Sequence, residues 1–356
     1  MIEKIAVIGG GSTGHGVAAV MAMRGFNVTL HDDKRFKSRF ASIEKLGGIL
    51  LRGKVQGIGK PSLVTTEPEE AIKDAELIFV NVMSDRHEEI AKRIAPFVRD
   101  GQHIMIIPGN LGSFAFRKVF DEMGVNANIT LTEKEGNFFP CRLSGESEVT
   151  VGMPLNLKGL VASLPSKDTL RVLKDLEGVV EYSPNRNVLE GAINAGNVIM
   201  HIASTVLSSA AIHHQGDSFS LFKYGFIPET VKCIEKISKE RLDVMEACGL
   251  PQHADNPMAM IEKVNNPDAY PENHVFREHM NGPNAIDHRY LHEDCGCGGS
   301  LIVSIGNRCN IATPVLTSFL IIAGTMNNRD YIKGGRNLEN LGFSEEMTME
   351  EIYNSI

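Results

Sequence analysis

The chain opens on an apolar run, Ile5 to Ile8, that passes through glycines into apolar positions at helical spacing, Val17, Val20 and Met21. Four apolar residues closed by a turn signal predict a buried strand, and the spacing after them predicts a helix from Ser12. The alternation continues. Asn27 to Leu30 reads as a second strand, Lys34 to Lys45 as a helix, and the glycine-broken run Gly47 to Pro61 as a small strand excursion. Leu63 to Thr66 is the third strand, Pro68 to Ile72 a short acidic helical turn, and Ala75 to Val82 the fourth strand. His87 to Val98 is helical, and His103 to Ile107 is a fifth strand that ends at the turn Pro108 to Ser113 and leads into another helix. Asn128 to Glu133, Val149 to Met153 and Gly159 to Ser163 read as further strands. Strands alternating with helices in this way predict a parallel, doubly wound sheet. From Arg186 the texture changes to long helical stretches, 187–214, 228–248 and 311–327, joined by loops rich in Pro, Asn, Gly and His.

The first turn carries chemistry. Gly9, Gly11 and Gly14 stand in a G-x-G-x-x-G spacing between strand and helix. The first makes the tight turn, the second admits a pyrophosphate to the backbone, and the third lets helix pack on strand. The N–H groups of the first helical turn, with Ser12 and Thr13, then hold the phosphates at the positive end of the helix. Asp32 ends the second strand, 18 residues after Gly14, close to the ~20-residue offset of an acid that binds a ribose 2′-hydroxyl. That favours NAD. Lys34 and Arg35 lie near enough to hold a 2′-phosphate, so NADP remains open. Arg35 and Asn110, in the turn after the fifth strand, complete the expected cofactor-binding set. The fold expected is therefore α/β: a Rossmann-type dinucleotide-binding domain over residues 1–185, followed by an all-helical domain over 186–356. Ser183-Pro184-Asn185 marks the boundary, and a cleft between the two domains is the expected place for chemistry.

Composition narrows the class. The 356 residues suit about two domains, and 42% hydrophobic with 22% charged content is ordinary for a globular protein. A net charge of −8 argues against nucleic acid or an anionic membrane as partner. No basic leader with a cleavage site begins the chain, and the longest apolar stretch, Pro314 to Met326, is too short to span a bilayer. Six cysteines beside a nucleotide site suggest reduced thiols and a cytoplasmic setting. The partners expected are small molecules, with a homodimer left open.

Two constellations stand out in the helical part. Along 187–214, read as one helix, Glu190, Asn194, Asn197, His201, Ser204 and Ser208 recur at spacings of 4, 3, 4, 3 and 4. At ~100° per residue they share an arc of about 80°. Such a stripe among apolar faces meets either a substrate cleft or a hydrogen-bonded seam with water, since unpaired buried groups cost ~1–3 kcal/mol each. His201, in mid-stripe, has the chemistry of a general acid/base, although a lone helical histidine is more often structural. The second constellation, Asn281 to Gly299, reads as a loop dense in ionisable groups. Its arginine can clamp a carboxylate, and its Asp can orient an imidazole.

His288-Arg289-Tyr290-Leu291-x-Glu293-Asp294 resembles the H-R-Y-x-x-E-D signature of the opine dehydrogenases, the octopine/nopaline dehydrogenase family. Asn197 to His201 resembles that family's N-x-x-x-H element, Cys141-Arg142 its C-R segment, and Gly335 to Gly342 its C-terminal G-R-x-x-x-x-L-G. The resemblance implies reductive condensation: a 2-oxo acid such as pyruvate and the amino group of an amino acid form an imine, which NAD(P)H reduces. It implies His201 as general acid/base, Asp294 as its orienting carboxylate and Arg289 as clamp on the oxo-acid carboxylate. Asn197 would line the same cleft near the nicotinamide, and Glu133 and Cys141 the amino-acid pocket. The chain departs from the family at Cys295-Gly296-Cys297-Gly298-Gly299, expected to be a loop shaping a different substrate pocket, so the amine need not be arginine. No second cysteine pair at zinc-finger spacing accompanies it, and no metal is expected. The alternative is a reductase of a preformed carbonyl acid, like ketopantoate reductase or glycerol-3-phosphate dehydrogenase. Those families normally present a lysine on the corresponding helix, and residues 187–214 contain none.

Overall fold

Strand β1 (Lys4–Ile8) lies between β2 (Asn27–His31) and β6 (Leu77–Val80), parallel to both. The structure, a computed structural model, describes residues 2–153, 158–251, 256–270, 277, 278 and 280–356. The chain divides into two units, Met1–Gly191 and Ala192–Ile356.

In the first unit β3 (Ile49–Gly53), β4 (Gly57–Gly59), β5 (Leu63–Thr65), β7 (His103–Ile106), β8 (Thr130–Lys134), β9 (Cys141–Gly145), β10 (Glu148–Val151), β11 (Leu160–Leu164) and β12 (Ser183–Pro184) complete the strands among the described residues. The main sheet runs β12-β11-β8-β7-β6-β1-β2-β5. It is parallel except where β11 meets β8. All four residues of β6 are buried, as in a sheet covered on both faces. Helices α1 (Ser12–Met23) and α2 (Lys37–Leu46) pack Val17, Met21 and Phe40 with Ile5, Val7, Leu77 and Phe79. On the other face α3 (Pro68–Ile72), α4 (His87–Ile94) and α5 (Gly112–Glu122) pack Ile72, Ile90 and Phe116 with Ala6, Ile8, Ile78 and Val80. The expected excursion is the small sheet β4-β3-β10-β9. Its strand β9 was not legible as one, because only Cys141 of its residues is buried. A short helix α6 (Thr169–Asp175) follows β11.

The single helix expected over 187–214 is three: α7 (Val188–Asn194), α8 (Gly196–Leu207) and α9 (Ser209–Gln215). Ala195 leaves the helical region at ψ 105, and the buried Arg241 guanidinium donates to the end carbonyl of Asn194, 3.3 Å away. The six-residue stripe is therefore not one stripe. Glu190 belongs to the first unit and accepts from the Arg186 amide; Asn197, His201 and Ser204 share α8. The unit continues with α10 (Leu221–Tyr224), α11 (Pro228–Ala247), α12 (Asn256–Asn265), α13 (Arg289–Glu293), a π-helical turn (Asp294–Gly299), α14 (Ser300–Arg308), α15 (Pro314–Asn327) and α16 (Met349–Asn354). The expected loop at 289–299 is thus helical. All six residues of the π turn are buried. Among the described residues no single helix is long and apolar enough to cross a membrane.

Candidate active site

In the first unit the glycine turn forms a dinucleotide cradle. Gly9 sits at φ +103, and a side chain there would run into the Asn81 carbonyl. A Cβ on Gly14 would collide with the carbonyl of Gly9, whereas one on Gly11 meets nothing within 4 Å. Gly11 therefore borders open space at the helix start. It caps α1 without a side-chain hydrogen bond, leaving first-turn amides for another acceptor. Ser12 Oγ accepts from the Leu143 amide at 3.0 Å, and the buried Cys141 thiol lies 4.0 Å from Thr13 Oγ1, tying this turn to β9. Open space, unclaimed amides and an acid at the end of β2 fit a dinucleotide.

Asp32 is buried and accepts from the Asp33 amide at 2.8 Å. Burial lifts its carboxyl above the usual range, while the Asp33 and Gly10 amides and Arg39 pull it back. Arg35 does not join it. Asp33 caps the turn after β2, draws the Arg35 Nε to 3.1 Å, and leaves that side chain 64% exposed. Arg39 stands nearer the acid: it donates to the Gly10 carbonyl at 3.2 Å, lies 3.8 Å from Asp32, and covers Phe36. The signal for it was a second arginine four residues on, in the first turn of α2. Asn110, at φ 48, donates to Ser84 Oγ at 2.9 Å. Glu133, expected in the amino-acid pocket, lies against the start of α5. Its buried carboxylate accepts from the Leu111 and Ser113 amides at 2.9 and 2.8 Å and from the Ser113 hydroxyl. It serves the start of α5, where unsatisfied amides and the positive helix end favour an anion.

In the second unit His201 of α8 and Asp294 meet across 93 residues, with Asp294 Oδ2 accepting from Nδ1 at 2.8 Å. Both side chains are nearly sealed, at 5% and 7% exposure. The glycines of the π turn make this approach possible. A side chain on Gly298 would strike Val198, and one on Gly299 would press on Leu320 and Ile202. The turn is held from behind as well: the Gly296 carbonyl accepts from Ser300 Oγ at 2.8 Å and from the Arg336 amide at 2.6 Å. The Gly335-Arg336 segment, noticed in the sequence only by resemblance, thus braces the carboxylate's turn. Cys295 and Cys297 are buried in it, and burial pushes the Cys295 thiol well up. Arg289, on α13, is 30% exposed; its Nη1 lies 3.5 Å from Glu293, and its guanidinium lies over Tyr290. Asn197 is half-buried one turn before His201. Tyr290, buried and stacked on His201, was missed as a site residue: its only signal was its place between Arg289 and Glu293.

Residues 184–327 match the family model described as NAD/NADP octopine/nopaline dehydrogenase, alpha-helical domain. Residues 4–109 match the model described as NAD-dependent glycerol-3-phosphate dehydrogenase N-terminus. The chain is 30% identical to opine dehydrogenase of Arthrobacter sp. (strain 1C), covering 97% of each chain. It is 22% identical to vitopine synthase of Allorhizobium ampelinum, over 96% of this chain and 95% of that one. In fold it is similar to octopine dehydrogenase solved with NADH and L-arginine, with TM-score 0.70 at 18% identity, covering 99% of this chain and 98% of that one. It is also similar to yersinopine dehydrogenase with NADP+ bound, with TM-score 0.66 at 11% identity, covering 100% and 98%.

Proposed function

Because the chain belongs to the opine dehydrogenase family, we propose that its chemistry is centred on His201, Asp294 and Arg289. The enzyme is an NAD(P)H-dependent oxidoreductase of CH–NH donors. It condenses a 2-oxo acid with the amino group of an amino acid and reduces the imine. The cofactor, when bound, supplies the hydride; Gly9, Gly11, Gly14 and the first-turn amides of α1 would hold its pyrophosphate and Asp32 its adenosine ribose. His201 acts as general acid/base at the reacting carbon. Asp294, accepting from Nδ1, sets the tautomer in which Nε2 exchanges the proton, and it balances the imidazolium charge. Arg289 binds the oxo-acid carboxylate by charge-assisted hydrogen bonds. Asn197 lines the same site one turn away. NADH is the preferred cofactor, because Asp32 would repel a 2′-phosphate; Arg39 stands close enough to moderate that repulsion. The six free thiols support a reducing, cytoplasmic setting.

The observation that carries the reading is the sealed 2.8 Å pair of His201 and Asp294. The experiment is a grid of NADH or NADPH oxidation against 2-oxo acids and amino acids, alone and together, with products identified by mass. Oxidation that requires both substrates and yields the secondary amine supports the proposal. Equal oxidation with the oxo acid alone moves the enzyme to the preformed-carbonyl reductases, and an equal or better kcat/KM with NADPH overturns the NAD preference.

A further inference from the structure

The proposed acid and the proposed clamp share one neighbour. Tyr290 is 2% exposed, and its ring lies flat on the His201 imidazole, centroids 3.8 Å apart and planes 14° from parallel. The Arg289 guanidinium carbon is 5.0 Å from the centroid of the same ring. His288 meets that ring edge-on at 4.8 Å, and its Nδ1 accepts from the Tyr290 amide at 3.2 Å. The tyrosine is thus fixed through both its backbone and its ring.

We propose that Tyr290 is the positioning residue that sets the plane of the His201 imidazole and ties it to the Arg289 clamp. The inference rests on the reading of His201 as proton donor. The hydrogen bond from Nδ1 to Asp294 holds one edge of the imidazole, and the stacked phenol ring supports its flat face. Both contacts bear on where Nε2 points. Proton transfer depends on that direction, and a displacement of about 1 Å at such a group costs on the order of 10²-fold in rate. The electron-rich face of the phenol also favours an adjacent cation, here the imidazolium that forms when His201 takes up its proton. Because Arg289 lies on the same ring, the distance between carboxylate clamp and proton donor is set by one rigid side chain with few rotamers.

The test uses the full chain in four forms: wild type, Y290L, H201N and the double variant, with Y290F as the conservative control. Y290L is expected to lower kcat about 10- to 100-fold, with NADH affinity by fluorescence titration unchanged. Y290F, which keeps the ring, is expected to recover most of that rate. In the H201N background, Y290L is expected to cost less than about threefold more, because a residue acting through His201 has nothing left to position. If Y290L is not recovered folded, Tyr290→Met, which fills the volume without an aromatic face, takes its place. A wild-type kcat in Y290L, the same loss in both backgrounds, or a loss in Y290F as large as in Y290L overturns the inference. A slow H201N with a fast Y290L overturns the tyrosine's role alone; a wild-type rate in H201N overturns the proton-donor reading and the inference with it.

Discussion

Two histidines of the first unit and one of the second are almost equally buried, and they differ in what faces them. His15 follows the glycine turn, fully enclosed, with its Nδ1 3.2 Å from the Gly11 carbonyl. Burial drives its pKa down to about 4. His31, at the end of β2, is pushed down to about 4 as well, by burial first and then by Arg93. His201 is as sealed, yet it meets the Asp294 carboxylate at 2.8 Å and lies flat on an aromatic face. Burial with no adequate counter-charge keeps an imidazole neutral and makes it part of the packing. Burial against a carboxylate gives the imidazole a hydrogen-bond acceptor of opposite charge. The first unit therefore holds its two histidines neutral within the packing, and the second pairs its histidine with a carboxylate.

The largest effect should come from removing the paired histidine. His201→Asn is expected to lower kcat roughly 10²- to 10⁴-fold, and Asp294→Asn to slow it too, with NADH affinity nearly unchanged in each. Turnover near wild type in His201→Asn, measured under saturating substrates, would place all three histidines in the same structural class.

The next effect belongs to the two neutral histidines. Their folded pKa values lie near 4, below the ordinary 6.5, so the unfolded chain binds more protons between those limits. Stability is complete above the unfolded value and falls as pH drops through this window. At pH 5 each histidine should cost about 2 kcal/mol relative to pH 7. The expected outcome is a Tm that declines from pH 7 to pH 5, with a shallower decline in His31→Gln. Identical slopes in the variant and the wild type would show that His31 is not held neutral by the fold.

The smallest effect concerns the substrate clamp. Arg289→Ala is expected to raise the oxo-acid KM at least about tenfold, the equivalent of ~1.4 kcal/mol, and to move the amine KM much less. Arg289→Lys should recover charge without the bidentate geometry and restore only part of the loss. The 3.5 Å approach to Glu293 supplies the competing role, a brace for α13. Equal losses for both substrates with a lowered Tm would assign Arg289 to that brace.

Much of the first unit was legible because its signals are local. The glycine spacing, the apolar run before it and Asp32 after β2 lie within 32 residues of the start, and the alternation of strand and helix follows from the period of burial alone. Side-chain competition was not legible there. Asp33 captures Arg35 and leaves Arg39 beside Asp32, and Glu133 accepts from the amides that open α5. Each outcome depends on which of several nearby polar groups wins a hydrogen bond.

In the second unit the order is reversed. The family signature identified His201, Asp294 and Arg289 as residues to watch, but the elements that carry them were misread. A break at Ala195 divides the expected helix, and the expected loop is a helix followed by a buried π turn. The string Cys295-Gly296-Cys297-Gly298-Gly299 gives no periodic signal. Its glycines matter because α8 passes so close that Val198 and Ile202 occupy the space a side chain would need.

The sequence by itself determined the dinucleotide turn, the change from sheet to helices and the residue types of the site, since periodicity and capping act over a few residues. Only the tertiary structure decided which arginine stands by Asp32, that Glu133 serves a helix end, and that His201, Asp294 and Tyr290 form one stacked, hydrogen-bonded group. The partners in those contacts are up to 93 residues apart, and close packing of the chain, which no local pattern encodes, brings them within reach.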